Sequence, residues 1–262
     1  MKHFTENIFC SIRRVSCSIR HISTLSILLL YAPSLLFAQE QRSGISHRIY
    51  AGINLGAASP IPISNRFSDF SWSPRLSPSI GWASTFMGSD KFGLTTGIRF
   101  EQKSMKVEAS VYQLYTQLTI SMLKVEGYFT GRNLTTTRVN YLTIPLTATY
   151  RPDEKWNIDA GVFGSLNLGG SFKGGVRDGY FRIETPVGVK TDIDYESFEF
   201  NDKINSFDYG VCAGFERRIS GKTSAVFNLQ WSLASLLQRD FKGLDYKLHN
   251  IFGFIGISYT IK

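Results

Sequence analysis

Few residues in this chain have the types and spacing that chemistry requires. Past residue 38 it holds two histidines, His47 and His249, one cysteine, Cys212, and an acidic run, Asp192, Asp194, Glu196, Glu199 and Asp202. A hydrolytic site needs a nucleophile within reach of a base, and Ser232 or Ser235 near His249 is the one pairing on offer. A lone thiol neither closes a disulfide nor builds a metal site, and the two histidines fall at opposite rims of the strands described below. No catalytic, metal or cofactor site is therefore expected. The acidic run has oxygen ligands suited to calcium without the glycine and spacing of an EF-hand loop, and reads as a solvated loop. The pairs Gly169-Gly170 and Gly174-Gly175 follow a strand and open no helix, which makes them loop glycines and not a phosphate cradle. The charges with a recurrent place in the pattern are Arg48, Arg75, Arg99, Glu101, Asp159, Asp208 and Glu216, each on the polar side of an alternating segment.

The elements that must position these charges are strands. Leu142, Ile144, Leu146, Ala148 and Tyr150 alternate with Tyr141, Thr143, Pro145, Thr147 and Thr149. After a polar turn, Arg151 to Lys155, the residues Trp156, Ile158, Ala160 and Val162 alternate with Asn157, Asp159 and Gly161. Period two on both sides of a tight turn is a β-hairpin, and each arm reaches roughly 10 residues, enough to cross a bilayer when tilted. The same period recurs at Ser46 to Gly56, Leu76 to Phe86, Phe92 to Glu101, Phe207 to Glu216, Ala225 to Leu233 and Asn250 to Ile261. Ala57 to Ser73, Gly169 to Lys203 and Arg239 to Lys247 read as loops. The segment 102–138 is either an extension of its flanking strands or one further hairpin.

Connections are long after the first, third, fifth and seventh strands and short after the second, fourth and sixth. Such sorting puts every long loop at one end and every tight turn at the other, as in transmembrane barrels with short periplasmic turns and long external loops. The expected fold is all-β, an up-and-down antiparallel transmembrane β-barrel of eight strands, or ten if 102–138 crosses again. A closed barrel satisfies every backbone donor and acceptor in lipid, and an Arg or Lys on the lipid face at midplane costs roughly 2–4 kcal/mol. The seven charges named above are accordingly assigned to the lumen. An eight-stranded lumen is just wide enough to be filled by side chains, so Arg, Asp and Glu pairs packed with Tyr50, Asn228 and Gln230 are expected to plug it. Pro145 removes a ladder hydrogen bond and is expected to mark a bulge.

Upstream, Arg13, Arg14 and Arg20 precede LSILLLYAPSLLFA, Leu25 to Ala38, which ends in a small residue before Gln39. These are the n-region, h-region and cleavage site of a secretory signal peptide, giving a leader over 1–38 and an outer-membrane barrel domain over 39–262. The apolar run is too short, and broken by Pro33, to cross a membrane as a helix. Without the leader the chain keeps 25 basic and 20 acidic residues, a modest excess that suits anionic lipid. No Arg/Lys run interleaved with aromatics favours nucleic acid. Cations of the long segments, among them Lys103, Lys106, Arg132, Arg177, Arg239 and Lys247, either meet surface-lipid phosphates or keep the loops soluble.

The arrangement resembles the PorT-like outer-membrane β-barrel family of Gram-negative bacteria over most of the chain past the leader. The resemblance is carried by YLTIPLTATYRP (Tyr141 to Pro152), AGVFGSL (Ala160 to Leu166) and FDYGVCAGFE (Phe207 to Glu216), which look like that family's fourth, fifth and sixth strands. The end, ISYTIK, departs from the aromatic residue that closes many such barrels, with Tyr259 in the outward register two residues before Ile261. The resemblance implies a secretion accessory in the outer membrane of a Gram-negative bacterium. The surroundings are then outer-membrane lipid and lipopolysaccharide. A surface or secretion-system protein would meet the aromatic-rich loops through Tyr112, Tyr115, Tyr128, Phe129, Tyr180, Phe181, Tyr195, Phe198 and Phe200. A narrow small-solute pore is the alternative, and a lipid-modifying enzyme the remote one.

Overall fold

Alternating residues face opposite sides of a strand, and the computed structural model of the chain carries that alternation through ten strands. The structure describes residues 44–61, 65–120, 123–239, 241, 244 and 246–261; the leader expected over 1–38 lies outside them. In chain order the strands are β1 (Ile45–Pro60), β2 (Phe67–Pro74), β3 (Pro78–Met87), β4 (Phe92–Ile120), β5 (Leu123–Tyr150), β6 (Trp156–Ile183), β7 (Lys190–Glu199), β8 (Phe207–Ser220), β9 (Thr223–Ser232) and β10 (Leu248–Thr260). All pairings are antiparallel. The ring β1, β3, β4, β5, β6, β8, β9, β10 closes on itself through the β1–β10 ladder. Eight strands thus form the barrel, and β2 and β7 bring the sheet to ten by pairing with β4 and β6.

The barrel register follows from the side chains. Ile49, Ile80, Leu94, Ile98, Ile144, Val162, Val211 and Ile257 are exposed on the outer wall, while Arg48, Arg99, Glu101, Thr143, Asp208, Glu216 and Gln230 are buried inside. Aromatic pairs mark the short-turn end, with Phe92 against Tyr150 at 5.1 Å and Trp156 against Phe215 at 5.8 Å, the girdle position of a transmembrane barrel. The start of β1 and the end of β10 both lie on that side: the amide of Ile261 donates to the His47 carbonyl at 2.8 Å.

Three segments expected as loops or left open are strands instead. β4 and β5 continue through 102–138 as one long hairpin and do not cross again, β6 runs on to Ile183 and pairs with β7, and β2 occupies much of the Ala57–Ser73 segment. The glycines that suggested a loop have another use. A Cβ on Gly174 would sit 2.2 Å from Phe198, and one on Gly175 would sit 2.7 Å from Tyr195, so these glycines let two rings of β7 lie against β6. Pro145 causes no bulge: Thr96 pairs with Leu146 and Arg99 with Thr143 in unchanged register. The Thr96 hydroxyl donates to the Pro145 carbonyl at 3.0 Å where the ladder is interrupted.

The apolar core is displaced from the barrel. Met105, Val139, Phe172, Val176, Phe181, Ile193, Phe198, Leu236 and Leu248 cluster in the strand extensions and under the β9–β10 connection. Along β4 the outward residues change from Leu94, Ile98 and Phe100 to Gln102, Lys106 and Glu108, which marks where the strand leaves lipid.

Candidate functional site

The lumen is filled in layers. Nearest the short turns, Arg48 of β1 reaches Asp159 of β6 at 3.6 Å and Glu216 of β8 at 3.2 Å. Arg48 also donates to Thr85 at 3.1 Å. From there the hydroxyls of Thr85, Thr95 and Thr149 form a chain with spacings of 2.7 and 2.6 Å that ends with Thr149 donating to Asp159 at 2.5 Å. Ser258 donates to Glu216 at 2.6 Å. Buried charges persist only when paired and hydrogen-bonded, and each carboxylate here has both.

Above this layer Arg99 lies over the Phe254 ring, 5.6 Å from its centroid, and Tyr50 meets the same ring edge-on at 5.7 Å. The next layer joins β4 to β8. Arg99 Nε lies 2.9 Å from Glu101, and Lys103 Nζ lies 3.6 Å from Glu101 and 3.5 Å from Asp208. Thr143 donates to Glu101 at 2.7 Å, and Ser232 and Asn250 donate to Asp208 at 2.8 and 3.2 Å. The rings of Tyr141 and Phe163 flank the Lys103 ammonium at 5.0 and 5.1 Å. The free space beside Arg48 and Arg99 is about 60 Å³, room for about two waters at roughly 30 Å³ each.

Six of the seven charges assigned from the sequence meet in these layers, and Arg75 does not. It precedes the first residue of β3, outside the strand register, and is partly exposed; its carbonyl accepts from Ser77 at 3.0 Å. Lys103, placed outside with the loop cations, is instead 2% exposed and central to the upper layer. The signal was available, since residues 99, 101 and 103 share one parity of the same strand.

Past the barrel, β2, β4, β5, β6 and β7 lie side by side. The Gln102–Ile120 part of β4 alone amounts to about 60 Å of extended chain. The inner face of this sheet is aromatic: Phe172, Phe198, Phe200 and Phe241 follow one another, with Phe172 to Phe200 at 5.9 Å, Phe198 to Phe200 at 5.2 Å and Phe200 to Phe241 at 4.6 Å. Phe129 and Phe181 are fully buried there. Many of the aromatics expected to meet a partner thus make the sheet's own core, while Tyr112 and Tyr195 remain exposed.

A row of irregularities crosses the sheet at one level. β4 shifts register between Val111 and Leu114 around Gln113 (φ 47°), β5 shifts between Thr130 and Arg132 at Gly131 (φ 150°), and Asp178 of β6 has φ 52°. Bulges bend a strand and increase its twist, and here two register shifts lie side by side, one between β4 and β5 and one between β5 and β6. On the polar face Arg177 donates to Glu108 at 2.6 Å with Arg132 at 3.6 Å. That hydrogen bond, with the two positive charges, holds the Glu108 carboxyl below the ordinary range. Tyr115 donates to Glu126 at 2.6 Å, which pushes the Tyr115 phenol up to about 12.

A family model described as "Outer membrane protein beta-barrel domain" matches residues 37–238, more than half of the chain. The chain belongs to that family of outer-membrane β-barrels. Solved structures similar to it include Ail of Yersinia pestis, 10% identical over 84% of this chain and 100% of Ail, TM-score 0.39. Neisserial surface protein A is 10% identical over 84% and 99%, TM-score 0.33. OprG from Pseudomonas aeruginosa is 10% identical over 84% and 97%, TM-score 0.31. No curated protein sequence matches the chain.

Membership in the outer-membrane barrel family places the chain in the outer membrane of a Gram-negative bacterium. The remaining candidates for chemistry fall into place on this frame. Ser232 gives its hydroxyl to Asp208, while His249 Nδ1 lies 3.1 Å from the Ser232 carbonyl, so the histidine faces a backbone acceptor and not a nucleophile. His47 stacks on Trp82 at 5.6 Å and meets the Ser84 hydroxyl at 2.7 Å, on the opposite rim. Cys212 is buried. The acidic run lies mainly along β7, where Asp192 pairs with Lys190 at 3.0 Å and Glu199 with Lys173 at 3.2 Å. Charges along an edge strand hinder pairing with another chain.

Proposed function

We propose that this outer-membrane barrel is a non-enzymatic interaction protein whose ordered external sheet takes a protein partner at the cell surface. One observation carries the reading: β4, β5 and β6 run unbroken past the membrane into a sheet with its own apolar core, above a lumen filled by paired charges. Loops that served only solubility would need no buried phenylalanines. The outer surface of the sheet offers Tyr112, Tyr195 and the apolar turn residues Val187 and Val189, anchors of the kind that dominate binding energy at interfaces. The PorT-like resemblance narrows the partner to a secretion or surface component. Residues 1–38 serve as the leader removed on export.

The rival readings have less support. A diffusion pore needs a passage where paired Arg, Lys, Asp and Glu side chains cross the lumen, and a Ser/His hydrolase needs the hydroxyl that Ser232 gives to Asp208. Photo-crosslinkers placed at positions 112 and 195 in intact cells should yield a discrete adduct, and one at position 154 on a short turn should not. Tyr112→Ser with Tyr195→Ser should abolish co-purification while the heat-dependent gel migration of the barrel is kept. A partner retained by that variant, or no adduct from either external position, would overturn the proposal.

A further inference from the structure

Where the β9–β10 connection leaves the barrel, the wall carries an open cleft of about 870 Å³ that the partner surface above does not use. Its lower wall belongs to the lipid-facing band: Phe207 and Tyr209 at the start of β8 and Leu233 just past β9 are each more than half exposed. Its rim is cationic, with exposed Arg239 and Lys247 from the connection, and His249 of β10 lines it as well. The rim is also fixed in place. Asn205 Nδ2 donates to the carbonyls of Ser235 and Leu237 at 2.7 and 3.2 Å. The Gln238 amide donates to the Lys203 carbonyl at 2.9 Å. The His249 ring is anchored on the Ser232 carbonyl through Nδ1.

An apolar wall continuous with the lipid face, topped by cations at the height where the strands leave the membrane, is complementary to an anionic amphiphile. We propose that this cleft binds a phosphate-bearing lipid of the outer leaflet, with an acyl chain along Phe207, Tyr209 and Leu233 and the phosphate between Arg239 and Lys247. Bulk charge does not account for it, because the connection sequence sets Arg239, Lys242 and Lys247 against Asp240 and Asp245. The placement of two cations over an apolar wall does.

The test uses the full-length barrel in detergent with phosphatidic acid and phosphatidylcholine of identical chains as probes, and retained lipid is read by native mass spectrometry. Wild type should retain phosphatidic acid in preference to phosphatidylcholine, and inorganic phosphate should not displace it. Arg239→Ser with Lys247→Ser, both exposed positions, should lower retention about tenfold or more, and Leu233→Asn should lower it as well. Arg182→Ser with Lys190→Ser, the same loss of charge near the distal turn, should leave it unchanged. Equal retention of the two lipids, an equal loss in the distal variant, or displacement by inorganic phosphate would overturn the proposal.

Discussion

Lys103 of β4 places its ammonium 3.5 Å from the Asp208 carboxylate of β8, joining through the lumen two strands that are not neighbours in the sheet. Removing one partner of a buried ion pair leaves an uncompensated charge and costs roughly 3–5 kcal/mol, whereas replacing both with neutral groups of similar volume costs far less. Lys103→Met should therefore lower the denaturant midpoint of the barrel strongly. Asp208→Asn should lower it less, because Lys103 keeps Glu101 at 3.6 Å, and the double variant should recover much of the loss. Equilibrium unfolding in detergent, read by gel migration, checks the cycle; additive losses would show that the pair is not coupled.

The same layers set the electrical behaviour. With Arg48, Arg99 and Lys103 locked to Glu101, Asp159, Asp208 and Glu216, wild type should be silent in planar bilayers even at high protein load. Truncating Arg99 and Lys103 together to alanine should produce discrete openings. Steps of regular size from wild type would favour the small-solute pore.

Tyr115 reports on the external hairpin independently of the barrel. Its phenol, bonded to Glu126, should titrate at about 12, and Glu126→Gln should return it towards the ordinary value near 10. A folded-state value raised above the unfolded one means that the contribution of this bond is full below about pH 10 and fades as pH rises through about 12. Ultraviolet titration of wild type and variant checks the shift; identical curves would contradict the bond. Glu108 behaves in the opposite sense. Its lowered carboxyl value is a contribution present at neutral pH and lost on acidification, and Arg177→Ala should remove it.

Gly131 sits where the two register shifts of the sheet meet. Its φ of 150° is unfavourable for other residues, and a Cβ there would fall 2.6 Å from Phe129 and 2.8 Å from the Gly179 backbone. Gly131→Val should cost about 1–3 kcal/mol in strain alone and loosen the hairpin tips while leaving the barrel intact. Trypsin should then cut faster at Arg132, with unchanged heat-dependent migration of the trimmed barrel. Unchanged cleavage would show that the register shift does not need glycine.

The barrel was legible because lipid outside and packed charge inside impose opposite demands on successive residues. Arg48, Arg99, Glu101, Asp159, Asp208 and Glu216 share the polar parity of their strands, and they lie in the ion-paired layers of the lumen. The external sheet was not legible. Its strands carry Gly174, Gly175 and Gly179 where rings or backbone of the neighbouring strand need the space, and glycines in that density read as a loop. Lys103 keeps the polar parity of β4 but follows Glu101, where the apolar alternation of Phe92 to Phe100 gives way to polar residues on both faces, so the sequence there does not separate lumen from loop. Arg75 shows the limit of parity, since Leu76 and Pro78 continue an alternation in the sequence that the backbone takes up only at Pro78.

The central claim, a membrane-spanning barrel with its long sheet outside and short turns in the periplasm, is tested most directly by thiol accessibility in intact cells. Cys212 is buried and gives a silent background. Val187→Cys at the β6–β7 turn, 87% exposed, should react with a membrane-impermeant maleimide in intact cells. Glu154→Cys on the β5–β6 turn should react only after the outer membrane is opened. Labelling of position 154 in intact cells, or protection of position 187, would contradict the topology on which the external sheet and its proposed partner rest.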